Sequence, residues 1–228
     1  MTTQTAVQTQ VTKGKNGNAR GPKFTTPEFR VSFPQVWEPK QINGTGTAKY
    51  NLSMLFRVAA DPAKPETAKE KVVDITPMKQ AVGAVLVAQF GPDKTKWPAG
   101  LSIPFRDGKD KQFDGYGPGV IFIGASSSAK NPRPGIVGPD GKTAITTPNE
   151  FYGGCYARAT VNAFYWEFMG KKGVSFGLQN IQKTRDGLPF SGRAAAEDDF
   201  DAIPLPNASE GGAPSVGAAD NDPLAGIG

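Results

Sequence analysis

The longest strand-like segment of the chain is residues 151–168, which read Phe-Tyr-Gly-Gly-Cys-Tyr-Ala-Arg-Ala-Thr-Val-Asn-Ala-Phe-Tyr-Trp-Glu-Phe. Small apolar residues alternate from Ala157 to Ala163, and polar or aromatic residues occupy the positions between them. This period of two predicts a β-strand whose small face packs inside a tight barrel. The turn Gly170-Lys171-Lys172-Gly173 then leads to residues 174–183, so the sequence predicts a hairpin with two lysines at its tip.

Further strands are predicted before this hairpin. Residues 28–37 alternate, and that strand is expected to end near Pro34. Residues 48–59 alternate in the same way, and residues 120–125 form a compact apolar strand. The predicted inward face of the first strand holds Phe29, Val31 and Phe33.

One helix interrupts this β pattern. Thr76 is its predicted N-cap and Pro77 its first residue, and residues 78–90 continue it until Gly91. Residues 66–74 have a second, weaker helical pattern. Because Gly and Pro are frequent and the apolar runs are short, the chain as a whole favours a mainly β domain.

Charge divides the chain into two parts. Residues 194–228 hold seven acidic residues and no Lys or Arg. The chain has 26 basic and 21 acidic residues. Residues 1–193 therefore contain all 26 basic residues and 14 acidic ones, so their net charge is +12, and that of the tail is −7. A basic body predicts a polyanionic ligand, most commonly nucleic acid. A tethered acidic tail can compete with that ligand, because tethering gives it an effective concentration on the order of mM.

Composition also predicts the domain boundaries. Residues 1–22 are polar and basic with almost nothing to bury, and residues 194–228 are rich in Gly, Ala, Pro and Asp, so both termini are expected to be disordered. Residues 23–193 are long enough for one domain with its own core. No apolar N-terminal stretch or membrane-length apolar run is present, so we expect a soluble protein that is not secreted.

The sequence offers little to catalysis. It contains no histidine and one cysteine, Cys155, which excludes Ser-His-Asp and Cys-His sites, disulfides within the chain and the usual zinc sites. The spacing of Asp107, Asp110 and Asp114 fits no dedicated metal loop and indicates a surface loop. We therefore expect no enzymatic activity, no cofactor and no metal. A nuclease that uses only carboxylates and Mg²⁺ is the least favoured alternative.

Basic and aromatic residues are interleaved in several segments, the pattern expected where bases stack on rings and cations hold phosphates. Phe164, Trp166 and Phe168 could equally be packed beneath a loop or helix, and about half the charges between residues 94 and 116 are expected to be merely solvated. The candidate DNA-binding residues are Lys49, Arg57, Lys94, Lys96, Trp97, Arg106, Lys109, Lys111, Tyr116, Tyr152, Tyr156, Arg158, Phe164, Trp166, Lys171 and Lys172.

Three blocks resemble the single-stranded DNA-binding proteins of tailed phages. They are Arg30-Val31-Ser32-Phe33-Pro34 with Glu38-Pro39-Lys40 and Lys49-Tyr50, Pro104-Phe105-Arg106-Asp107-Gly108 leading to residues 119–127, and Tyr152-Gly153-Gly154-Cys155-Tyr156 continuing to Arg185-Asp186-Gly187. The resemblance implies an OB-fold-like five-stranded open barrel with an inserted helix and long loops. It also implies binding to single strands largely regardless of sequence, in phage DNA replication, recombination or repair.

The tail carries a second resemblance. The run from Glu197 to Leu205 is similar to the acidic tip of bacterial single-strand binding proteins, although Leu205 replaces the final Phe and the motif is internal. Its candidate partner-binding residues are Asp198, Asp199, Phe200, Asp201, Ile203 and Pro204, and residues 220–228 are the other candidate docking segment. The implied partners are replication or recombination proteins.

The expected ligand is single-stranded DNA, with duplex DNA or RNA bound more weakly, in the cytoplasm of an infected bacterial host. Homo-oligomers are compatible with the sequence. The alternative from another class is a phage structural or assembly protein with a β-barrel body, which would form regular oligomers without DNA.

Overall fold

A computed structural model describes residues 11–42, 45–64 and 70–190. The residues predicted to form the acidic tail, 194–228, and the first ten residues lie outside these ranges. In chain order the elements are β1 (Thr12–Lys13), β2 (Ala19–Arg20), β3 (Phe24–Thr25), β4 (Phe29–Ile42), β5 (Thr45–Arg57), α1 (Thr76–Phe90), a 3-10 turn (Lys94–Lys96), β6 (Arg106–Asp107), β7 (Val120–Ser128), β8 (Ile136–Val137), β9 (Tyr156–Phe168) and β10 (Lys171–Arg185).

Five long strands close into a ring in the order β4, β5, β7, β10, β9 and back to β4. All neighbours in the ring are antiparallel except β7 and β10, which are parallel and pair only at Ala125 with Phe176 and at Ser126 with Gly177. The predicted OB-fold-like five-stranded barrel is therefore confirmed. The ring is closed, where the resemblance implied an open barrel. Its two shortest pairings, of two residue pairs each, are the parallel contact between β7 and β10 and the antiparallel contact between β4 and β9.

The barrel interior follows the alternation predicted for β9. Ala157, Ala159, Val161 and Ala163 are all buried, as the period of two requires. Their small side chains leave room for large ones from other strands, including Phe176 of β10, which is fully buried. Phe29 of β4 meets Phe56 of β5 edge to face, with ring centroids 5.7 Å apart. Small and large residues thus interlock to fill a narrow core.

Helix α1 packs mainly against β9 through its buried side chains Met78, Val82 and Val85. Its last residue, Phe90, meets Tyr165 edge to face at 5.4 Å. The helix begins at Thr76, so Ile75 and not Thr76 is its N-cap, and the Asp74 carboxylate accepts a hydrogen bond from the Thr76 backbone N–H at 2.8 Å. Within the described chain, no helix is long and apolar enough to cross a membrane.

Three predicted boundaries were wrong. Strand β4 does not end near Pro34 but continues to Ile42, because a register shift between Ser32 and Gln35 lets the strand pass a proline that cannot donate to the ladder. Residues 70–74 of the weaker helical pattern are not helical, and residues 65–69 are outside the described ranges. The tip of the β9–β10 hairpin is Met169-Gly170, both with positive φ, so the two lysines begin β10 instead of forming the turn.

The predicted N-terminal arm is described from residue 11 onwards, where it lies against the barrel. Strands β1 and β2 pair with each other, and Arg20 of β2 pairs with Phe164 of β9. Ala19 is fully buried, and its N–H donates to Gln89 Oε1 at 2.8 Å. The Gly21 N–H donates to Ala163 O at 2.8 Å. These hydrogen bonds from backbone N–H groups hold a segment with few large apolar side chains.

The buried thiol of Cys155 makes stability depend on pH in the alkaline range. Burial raises its pKa from 9.0 to about 11, because the thiolate is disfavoured away from water. The stabilisation is complete below the unfolded pKa and is lost as pH rises through the folded pKa. We expect the free energy of unfolding to fall by about 2 kcal/mol between pH 9 and 11 because of this group.

Chemical denaturation of the wild-type protein and of Cys155→Ala at several pH values checks this expectation. The variant should show a shallower alkaline loss, and the residual slope should come from groups such as Tyr152 and Tyr165, whose pKa values burial also raises. Identical slopes in the two proteins would contradict the assignment to Cys155.

Candidate nucleic-acid interface

The outer faces of β4, β5 and β7 carry small and polar side chains. Ser32 on β4 is buried, and the residues on β5 and β7 form a shallow, partly exposed surface. The register aligns Ser32 with Ser53 and Ser53 with Gly124, and it pairs Asn51 with Ser126. A Cβ added at Gly124 would meet nothing within 4 Å, so the space above it is open. We call these five residues and the space above them the groove. Its low floor lets a ligand approach the sheet closely.

Four aromatic rings line one side of the groove: Phe33, Phe113, Tyr116 and Phe122. They meet edge to face in sequence, with centroids 5.3 Å, 5.8 Å and 5.2 Å apart. The Tyr116 hydroxyl donates to Ser32 Oγ at 3.3 Å, which ties the cluster to the groove floor. Phe33 is 56% exposed and Phe113 54% exposed, so these two rings are available for stacking. We call the four rings the aromatic cluster.

The backbone of Phe33 is strained. Its φ is +46°, and Met169 is the other non-glycine residue with positive φ among those described. For a phenylalanine this conformation costs about 1–2 kcal/mol. Strict alternation would point Phe33 inward with Val31, whereas the bulge turns its ring outward to Phe113. Strain that exposes an aromatic ring is typical of a ligand-binding position.

Cations flank the groove at two places. The Arg106 guanidinium carbon lies 6.0 Å from the centroid of Phe122, and Arg106 makes no ion pair with any described residue. On the β4–β5 hairpin, Lys40 and Lys49 are directly opposite each other and both are exposed. Like charges in opposite positions repel, so a bound anion would stabilise this pair. The groove therefore offers rings between two phosphate-attracting positions.

A cavity of about 400 Å³, which we call the slot, opens beside Phe33 and Phe113. Tyr152 and Phe190 complete its aromatic walls. The Tyr152 hydroxyl is 2.9 Å from Asp186 Oδ1, and desolvation together with this carboxylate raises the pKa of Tyr152. Hydrogen bonds from Lys183 and Tyr152 lower the pKa of Asp186. Tyr152 is therefore a fixed wall of the slot, held by a charged network.

Arg30 anchors the chain that follows β10. It donates to Gly154 O at 3.1 Å and to Leu188 O at 2.8 Å, and its guanidinium lies 4.4 Å from the Phe190 ring centroid.

The Arg185 guanidinium covers Tyr156 at 3.3 Å from the ring centroid. The predicted stacking residue Tyr156 thus already has a cation on one face.

The structure brings only some of the predicted residues to the groove. Lys49 and Arg106 flank it, and Tyr116 belongs to the aromatic cluster beside it. Lys109 and Lys111 lie in the same β6–β7 loop as Phe113. Lys109 is 3.9 Å from the Asp107 carboxylate. Arg57, at the end of β5, forms an ion pair with Glu70.

Other predicted residues lie on β9 and β10, away from the aromatic cluster. Arg20 covers the half-buried Phe164 ring at 5.4 Å. Trp166 is half-buried next to Gly173, and Arg158 donates to Gln182 Oε1 at 2.7 Å. Lys171 is exposed, and Lys172 lies 3.5 Å from the Glu167 carboxylate.

A third group lies near the end of α1. Trp97 is half-buried and its indole N–H donates to Gly91 O at 3.0 Å, so its polar atom is satisfied within the protein. Lys94 and Lys96 are exposed in the adjoining 3-10 turn, and Lys96 is 3.7 Å from Asp93. In residues 11–42, 45–64 and 70–190, no three acidic or cysteine side chains are close enough to hold a metal ion.

Sequence reasoning missed Phe33, Phe113, Phe122 and Lys40. Phe113 had a signal, since it is a lone aromatic in the charged run Asp110-Lys111-Gln112-Phe113-Asp114. Phe33 had none, because its exposure depends on a bulge that alternation does not show. Lys40 could be matched with Lys49 only once the register of the β4–β5 hairpin was known.

Comparison with known proteins gives consistent matches. A family model described as "Enterobacter phage Enc34, ssDNA-binding protein" matches residues 22–210. Putative protein p50 of Acyrthosiphon pisum secondary endosymbiont phage 1 is 28% identical over 195 residues, covering 82% of this chain and 97% of the relative.

Solved structures show a similar fold. The single-stranded DNA-binding protein from bacteriophage Enc34 matches with a TM-score of 0.51 and 20% identity, covering 84% of this chain and 98% of that chain. The same phage protein in complex with ssDNA matches with a TM-score of 0.53 and 20% identity, covering 79% and 97%.

Proposed function

The chain belongs to the family of the Enterobacter phage Enc34 ssDNA-binding protein, and from that membership we propose that it binds single-stranded DNA along the groove, largely regardless of sequence. The observation that carries this proposal is the aromatic cluster, with two half-exposed rings, between Arg106 and the Lys40–Lys49 pair. Bases stack on Phe33 and Phe113, and each stacked base contributes about 1–3 kcal/mol. The cations hold the phosphates on either side.

The arrangement favours single strands over duplex. A half-exposed ring can stack on a base only when that base is free of its complementary partner. The open space above Gly124 leaves room for a sugar-phosphate chain to lie close to the sheet. Duplex DNA or duplex RNA would retain the phosphate contacts without this stacking and therefore bind more weakly. The role is protection of exposed strands in phage DNA replication, recombination or repair, without chemistry.

A titration of the full-length protein with single-stranded and duplex DNA of equal length, at two salt concentrations, tests this function. We expect tighter binding to the single strand and a log–log salt slope of about −0.7 per phosphate neutralised. Equal affinity for single-stranded and duplex DNA would show that binding depends on charge alone, and it would contradict base stacking. Absence of binding at low salt would contradict the function and favour a structural or assembly protein.

The acidic tail, which lies outside the described residues, competes with DNA for the groove. In the sequence, the tail begins four residues after Phe190, which is a wall of the slot, so its tether to the binding surface is short. The charges are complementary, since the tail carries seven acids and no Lys or Arg. When DNA displaces it, the tail is free to recruit replication or recombination proteins through Asp198, Asp199, Phe200, Asp201, Ile203 and Pro204.

Removal of residues 194–228 should tighten binding to single-stranded DNA by roughly tenfold at low salt, because the tethered competitor is lost. The matched control keeps the full length but changes the seven tail acids to amides, and it should tighten binding as much as the deletion does. Both differences should shrink at high salt. Unchanged or weaker binding by the shortened protein would contradict competition by the tail.

A further inference from the structure

The slot carries polar groups that sequence-independent binding does not require. Besides its aromatic walls it is lined by the side chains of Gln112 and Asp114, which flank Phe113 in the chain. Neither side chain makes a hydrogen bond or ion pair with any residue in the described ranges, and both are exposed. An amide and a carboxylate are thus left without partners beside a stacking ring.

The position of Asp114 is unfavourable for a surface that only attracts phosphates. A carboxylate repels the polyanion. Lys109, which is nearby in the sequence, does not neutralise Asp114, because its ammonium group is paired with the Asp107 carboxylate at 3.9 Å. The repulsion is offset if the carboxylate accepts a hydrogen bond from the ligand itself. On a nucleic acid the available donors are the ring and exocyclic N–H groups of the bases, and an unpaired base exposes them.

We propose that the slot takes one nucleobase, stacked on Phe113 and read at its edge by Asp114 and Gln112, and that it prefers bases with an exocyclic amino group over thymine or uracil. This inference rests on the proposed function. Cytosine and adenine present an amino donor where thymine and uracil present a carbonyl oxygen. The one donor of thymine or uracil on that edge, N3–H, lies between two carbonyl oxygens, and their lone pairs would repel the carboxylate. The Gln112 amide can donate to the ring nitrogen or carbonyl beside that amino group.

The cleanest probe compares oligodeoxycytidine with oligodeoxyuridine, each of about 16 nucleotides, the upper range for one OB-fold. The two pyrimidines are nearly identical in size and differ in the hydrogen-bonding edge that Asp114 would read. We expect the full-length protein at pH 8 to bind the cytidine oligomer more tightly by roughly threefold to tenfold, the value of one partly exposed charge-assisted hydrogen bond.

Asp114→Asn tests the residue, because an amide can donate to a carbonyl as readily as it accepts from an amino group. The ratio of the two affinities should fall close to one in this variant. Asp110→Asn is the matched control: it removes the same charge from the same loop but lies outside the slot, so it should change both affinities and keep their ratio.

The outcomes distinguish failure of the proposed base preference from failure of the proposed function. Tight binding of both oligomers with equal affinity would overturn the base preference and leave single-strand binding intact. A preference that survives Asp114→Asn would overturn the assignment to Asp114. Failure to bind either oligomer at low salt would overturn the proposed function, and the slot with it.

Discussion

Replacing Phe33 and Phe113 together by alanine is expected to weaken binding to single-stranded DNA by at least about thirtyfold. Two rings that each stack a base contribute about 1–3 kcal/mol apiece, and 1.4 kcal/mol corresponds to a tenfold change in affinity. The salt dependence should not change, because neither ring neutralises a phosphate. Fluorescence anisotropy of a labelled oligonucleotide at several salt concentrations measures both quantities.

Two controls make this result specific. Phe168 is 69% exposed at the end of β9, away from the groove, so Phe168→Ala should leave the affinity unchanged. Phe33→Gly removes the same ring as Phe33→Ala, but glycine tolerates a φ of +46°. The free energy of unfolding of Phe33→Gly should therefore be about 1 kcal/mol higher than that of Phe33→Ala. Wild-type affinity in the double variant, or an equal loss in Phe168→Ala, would contradict stacking at the groove.

Gly154→Ala is expected to destabilise the protein by about 3 kcal/mol or more. Gly154 has a φ of +112°, which an L side chain rarely adopts, and an added Cβ would overlap Leu188 O. The residue also joins the start of β9 to β4, since its N–H donates to Val31 O at 2.8 Å. The substitution therefore either separates these strands or displaces the segment that carries Phe190 into the slot.

Denaturant unfolding measures this loss, and Gly83→Ala is the matched control. Gly83 lies in α1, and a Cβ there would meet nothing within 4 Å. Because alanine is the better helix former, Gly83→Ala should stabilise the protein by up to about 1 kcal/mol. If Gly154→Ala unfolded at the wild-type denaturant concentration, the close approach of the 186–190 segment to β9 would be wrong.

The strands of this barrel were predictable because their alternation is local. The period of two in residues 157–163 correctly placed four small side chains in the interior, and the predicted start of the helix at Pro77 was correct to within one residue. Pro34 misled the prediction of β4, because a proline ends a regular strand but is tolerated at a bulge. Alternation in the sequence does not show where a partner strand shifts register.

The site was less predictable than the fold for the same reason. Arg106 and Phe122 lie on different strands and meet only through the register of β6 with β7. Trp97 and Trp166 resembled stacking residues in the sequence, yet both rings are half-buried against neighbouring segments. Which side of an aromatic residue is covered by a distant part of the chain depends on packing, which no local pattern contains.

The central claim is that single-stranded DNA lies on the groove and aromatic cluster. Photocrosslinking of the full-length protein to an oligonucleotide containing 5-iododeoxycytidine, followed by peptide mapping, tests it most directly. We predict crosslinks in the peptides that contain Phe33, Phe113 and Tyr116. Crosslinks confined to the peptides of Trp97, Phe164 or Trp166 would contradict the claim and place the strand on the opposite surface of the barrel.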